Sequence, residues 1–125
     1  MKNPQSFKGM ILASIVMLAV LSFGCKKEIE AVADCLGQTA SLNFDHTIST
    51  TDSKQATLTV MYSGDFVLQN SVNWSFGDGN SQNTSTTSTT HAYASPGTYE
   101  ATAKVTIKKG SESCTFDLKE TITIK

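Results

Sequence analysis

Asp78 stands between Gly77 and Gly79, where a carboxylate carried on a tight turn reaches solvent and could bind a metal or act as an acid. A calcium site needs roughly six to eight oxygen ligands at set spacing. Asp45, Asp52 and Asp65 are scattered instead, and no D-x-D-x-D-G run occurs. His46 and His91 are the only histidines, too far apart in the chain for the usual zinc spacing. No G-x-S-x-G, H-E-x-x-H or glycine-rich phosphate loop is present. The paired carboxylates of a glycosidase need a deep cleft, which a β unit of under about 100 residues seldom has. Glu120 is a further isolated carboxylate: it falls on the apolar face of its strand with no partner nearby in sequence, and a β-bulge turning it outward is expected. Asn83-Thr84-Ser85 has the N-x-S form of a glycan acceptor and is read as chance. The sequence therefore assigns no catalytic residue, no metal ligand and no cofactor.

Short strands must position these residues. Val72, Trp74 and Phe76 alternate with Asn73 and Ser75, placing three apolar side chains on one face. Gly77-Asp78-Gly79-Asn80 stops that strand, Pro96-Gly97 makes a second tight turn, and a new strand runs from Tyr99. Upstream, Leu42 and Phe44 alternate in one strand, and Ala56, Leu58, Val60 and Tyr62 in the next, with Thr57 and Thr59 facing out. Ser63-Gly64-Asp65 is a turn, and Phe66-Val67-Leu68 leads toward the Trp74 strand. Eight of the ten residues from Ser81 to Thr90 are Ser or Thr, which reads as exposed edge strand and loop, or as an edge on which a partner docks. Tyr99, Ala101, Ala103, Val105 and Ile107 share a face, and the chain turns back over Lys108 to Ser113. The last strand sets Cys114, Phe116, Leu118, Ile122 and Ile124 against Thr115, Asp117, Lys119, Thr121 and Thr123. Ala101 and Ala103 leave the core thin unless Trp74 and Phe66 fill the space. The fold class is all-β.

The 125-residue chain has ten lysines, no arginine and eleven carboxylates, a formal charge of −1. Without a basic patch or arginine forks, nucleic acid is not an expected partner. Lys2 and Lys8 precede an apolar run of 14 residues, Met10 to Phe23, and then Gly24-Cys25. That order is a secretory signal, and the run falls short of the roughly 20 residues that span a bilayer. A small residue followed by cysteine resembles the bacterial lipoprotein lipobox, although Ser22 and Phe23 depart from the commoner Leu-then-small pattern. The resemblance implies a signal over residues 1–24, cut before Cys25, with lipid on Cys25. An uncleaved anchor and an ordinary signal peptide cut elsewhere are the competing readings. Two or three acyl chains, at about 0.8 kcal/mol per buried CH₂, hold a protein on a membrane almost irreversibly. Lys26 replaces the Asp that would resemble inner-membrane retention, so the outer membrane or cell surface is the expected location. Lys26-Lys27-Glu28-Ile29-Glu30 reads either as a surface-export signal or as part of a solvated tether over residues 25–34, no longer than about 30 Å.

The strand and its turns resemble the PKD domain, a small immunoglobulin-like β-sandwich whose pattern is W-x-F-G-D-G, then H-x-Y, then P-G-x-Y. Trp74, Phe76, Gly77, Asp78, Gly79, His91, Tyr93, Pro96, Gly97 and Tyr99 match in order. The resemblance implies a sandwich over residues 35–125, Asp78 bracing its turn, and His91 bonded to loop backbone beside Tyr93. It also implies that the entry to the first strand and the last hairpin share one end. That would pair Cys35 with Cys114 in an oxidising compartment and leave Cys25 for lipid. The turns at residues 77–80 and 94–97 would then face away from the membrane. The expected function is a lipid-anchored, non-catalytic module that binds protein or polysaccharide. A structural accessory docking to a larger envelope complex and a small hydrolase are the alternatives. Tyr62, Phe66, Trp74 and Tyr93 fall on core faces by alternation, which leaves few aromatic platforms for sugar.

Overall fold

Period-two alternation governs the backbone almost throughout, because each strand has one face to bury and one to leave in water. The computed structural model describes residues 34–125; the signal segment, Cys25 and the tether as far as residue 33 lie outside the described residues. Residues 34–38 are helical and Thr39–Ser41 forms a 3₁₀ turn. Among the described residues no helix is long and apolar enough to cross a membrane.

Eight strands follow: β1 (Leu42–Ile48), β2 (Gln55–Tyr62), β3 (Val67–Leu68), β4 (Val72–Ser75), β5 (Ser81–Thr84), β6 (Ser88–Ala92), β7 (Gly97–Lys109) and β8 (Glu112–Ile124). They form two antiparallel sheets. The smaller has the order β1-β2-β6. In the larger, β8 pairs with β7 along its whole length, β3 and β4 share β7's other side, and β5 lies outside β4. The Ser/Thr-rich stretch supplies an edge strand to each sheet, β5 to the larger and β6 to the smaller, with bends at 85–87 carrying the chain across.

The inner faces meet in one core. Leu58, Val60, Val72, Trp74, Phe76, Tyr93, Val105 and Ile122 are buried there, and Phe44 meets Trp74 with ring centroids 5.9 Å apart. Trp74 would bury an indole N–H unpaired, but Nε1 donates to Thr84 Oγ1 at 2.8 Å. Ala103 is fully buried and lies opposite Trp74 in the ladder, so the indole takes up the volume a larger aliphatic would occupy. Phe66 does not share that task. It is buried at the far end of β7, where Lys109 Nζ lies 5.6 Å from its ring centre.

One expectation fails. No bulge turns Glu120 outward: β8 pairs with β7 residue for residue from Glu112 to Ile124, and Glu120 sits opposite Ala101 on the inward stripe. Thirteen consecutive pairs outweigh one misfit side chain, and the small Ala101 leaves room beside it.

Candidate functional site

Two places bring together the residues that could do chemistry, one at the turn end of the sandwich and one at an open seam between the sheets. At the turn end, positive φ at Gly77 (82°) and Gly79 (91°) lets β4 reverse within four residues, closed by the Phe76 N–H donating to Asn80 O at 3.0 Å. The reversal aims the Asp78 side chain inward. Oδ1 accepts the Asn80 backbone N–H and Oδ2 accepts the Asn80 side-chain amide, each at 3.0 Å. His91, arriving on β6, brings Nε2 to 2.8 Å from Oδ2. Its ring stacks flat on Phe76 at 3.9 Å and meets Tyr93 edge-on at 4.7 Å. The Tyr93 hydroxyl donates to Phe76 O at 3.0 Å, its ring stacks on Tyr99, and Tyr99 Oη donates to Ser95 O.

Two expectations are corrected here. Asp78 is not an exposed carboxylate, since its side chain keeps only 13% of its surface. His91 bonds that carboxylate rather than loop backbone, because the turn delivers the acceptor directly onto the imidazole. Both carboxylate oxygens, the His91 Nε2 and the Tyr93 hydroxyl are committed within the cluster. It works as a clasp joining β4, β6 and β7.

Electrostatics agrees. Burial alone would raise the Asp78 carboxyl, but the bonds from His91 and from the Asn80 backbone and side chain together outweigh it and hold the group below its ordinary 3.8. Tyr93 is pushed up to about 12, first by burial and then by the Asp78 charge, so it stays a donor. Because the folded state lowers Asp78, its contribution is complete above the ordinary carboxyl range and is lost as pH falls through the lowered value. Thermal melts from neutral pH down to about 2 should show Asp78→Asn less stable than wild type at neutral pH, with the gap closing in acid. A gap constant across that range would show that the carboxylate charge adds nothing.

At the seam, Glu120 finds the partner that its neighbours in sequence do not supply. His46 Nδ1 on β1 lies 2.9 Å from Glu120 Oε1 on β8. These residues are 74 apart in the chain, so only the assembled sandwich reveals the pair. Cys35 and Cys114 are both disulfide-bonded. The pairing of Gly97 with Ile124 and of Lys109 with Glu112 places Cys114 about 33 Å along β8 from the clasp end, at roughly 3.3 Å per residue.

The outer face of the larger sheet carries two adjoining grooves of about 370 and 420 Å³ that share Asn73 and Lys104. Ser81 and Asn83, from the Ser/Thr-rich edge, line the first of them, and Asp117 closes it. Alternation marks these residues as outward-facing, but which of them adjoin depends on register.

Residues 39–122 match a family model described as PKD domain. Among solved structures, the chain is similar to the PKD1 domain from the Vibrio cholerae metalloprotease PrtV, at 21% identity and a TM-score of 0.50, covering 66% of this chain and 93% of that one. It is also similar to the PKD1 domain of Vibrio anguillarum Epp, at 17% identity and a TM-score of 0.50, covering 68% and 94%. No curated protein matches the chain.

Proposed function

The chain belongs to the PKD domain family, and from that membership we propose a lipid-anchored interaction module of the bacterial envelope that works by contact and performs no chemistry. The observation that carries this reading is the open, grooved outer face of the larger sheet, lined chiefly by residues with polar side chains, Asn73 and Lys104 common to both grooves. Amides, hydroxyls and a lysine offer hydrogen bonds to an extended polar chain, polysaccharide or protein, along a rigid support. The clasp argues the same way, since its carboxylate and imidazole are bonded to each other and its phenol to the Phe76 backbone carbonyl.

The reading includes a Cys35–Cys114 bridge and lipid on Cys25. Together these put the anchored end at the β7–β8 hairpin and the clasp at the far end. An accessory subunit docked on a larger envelope complex is the second reading, favoured by the scarcity of exposed aromatic platforms: Trp74, Tyr93 and Phe66 are buried.

The full-length chain and its Asn73→Ala/Lys104→Ala variant should be tested in parallel on a glycan array and in envelope pull-downs. Glycan binding lost in the variant supports the polysaccharide reading; capture of an envelope protein, lost in the variant and without glycan binding, supports docking. A partner bound equally by both chains removes the groove from the argument. In the same cells, Cys25→Ser should abolish fatty-acid labelling and leave the precursor uncut, and continued processing would remove the anchor.

A further inference from the structure

Glu120 is out of place by the logic of its strand. It interrupts the apolar stripe of β8 between Leu118 and Ile122, beside the fully buried Ala101. A half-buried carboxylate there costs desolvation unless something meets it. What meets it comes from the other sheet. β1 and β8 are the outer strands of their sheets and share no ladder, so His46 and Glu120 join across the seam. Asp45, next to His46 on β1, adds a third donor, and one ligand atom from each of the three lies within 4.8 Å of the others.

We propose that Asp45, His46 and Glu120 form a binding site for a divalent transition ion of zinc's class, fastening the two sheets at this seam. One imidazole and two carboxylates suit such an ion, whereas calcium asks for more oxygens than three side chains supply. Bonds of about 2.0–2.2 Å to nitrogen and oxygen set neighbouring donors of a tetrahedral site roughly 3.3–3.6 Å apart. His46 and Glu120, now 2.9 Å apart, must open slightly, and the exposed Asp45 side chain must draw in by about an ångström. The fourth position goes to water. The ion takes the Nδ1 lone pair, and the neutral imidazole then carries its one proton on Nε2.

Two more features fit. Asp45 Oδ1 accepts the His46 backbone N–H at 2.7 Å, which restrains the carboxylate beside His46 and leaves its second oxygen without a hydrogen bond among the described residues. A depression of about 230 Å³ on the solvent side of β1 and β2, lined by Asp45, His46, Thr47, Thr57, Thr59 and Met61 but not by Glu120, keeps the Asp45 side of the site open to water. Neither the clasp nor the groove takes part, so this proposal stands or falls apart from the proposed function.

Calorimetric titration of the full-length chain with zinc chloride should show saturable binding of one ion per chain, and calcium chloride none. His46→Gln and Glu120→Gln should each weaken zinc binding by about tenfold or more. In the NMR spectrum of the wild-type chain, zinc should move the His46 ring signals and leave those of His91, held against Phe76, in place. The proposal is overturned by the absence of one-to-one binding, by affinity unchanged in both variants, or by shifts at His91 instead of His46. If a variant does not fold, the wild-type ring shifts decide.

Discussion

Replacing Cys35 and Cys114 together by serine should lower the unfolding free energy by roughly 4.5 kcal/mol, the entropy that closing a loop of about 80 residues removes from the unfolded chain. Both cysteines are disulfide-bonded, and Cys114 is also buried near the β7–β8 hairpin, so the serine there adds a small packing loss. Reduction of the wild-type protein should therefore produce nearly the same fall as the double variant. Denaturant titration with and without reductant measures both. Alkylation of the native, oxidised chain should label neither residue. Labelling of both would end the claim, and a double variant as stable as wild type would show that the bridge does not restrain the unfolded chain.

Gly77→Ala should cost about 3 kcal/mol and lower the melting temperature by about 12 °C or more. Two separate penalties meet at this residue. Its φ of 82° lies in the left-handed region, which costs an L side chain roughly 1–2 kcal/mol. A Cβ there would also stand 2.5 Å from the backbone O of Glu100 and 3.0 Å from its C and N. Glu100 cannot retreat, because it is paired with Thr121 in the middle of a continuous ladder. Gly79 provides the control: its φ is 91°, but a Cβ would meet nothing within 4 Å. Gly79→Ala should accordingly lose only the conformational part. Equal losses at the two positions would show that the approach to β7 is not what demands glycine at 77.

Much of this architecture was open to reading from local pattern. Alternation in residues 56–62 and 99–107 follows directly from burying one face, and the glycines and proline of the two turns announce their own backbone geometry. What escaped was the meeting of side chains distant in the chain. Nothing around Asp78 says that an imidazole thirteen residues on will cap it, so the carboxylate reads as exposed when it is mostly covered. Glu120 escaped for the same reason, made worse by a local rule that favoured a bulge. Its partner lies in the opposite sheet, and the neighbouring pairs of the β7–β8 ladder held it in register. The grooves depend on which outward residues stand side by side across β4, β5, β7 and β8, and alternation within one strand leaves that undetermined.

β8 is hydrogen-bonded to β7 on one side, and among the described residues its other rail has no ladder partner across thirteen positions. A bare rail of that length invites a neighbouring molecule to add its own strand. The ionic side chains of Lys119 and Glu120 interrupt it midway, one lying outside the sheet and the other folded toward the seam. An incoming strand would have to strip water from both, and so crowded copies are kept from zipping together into fibres.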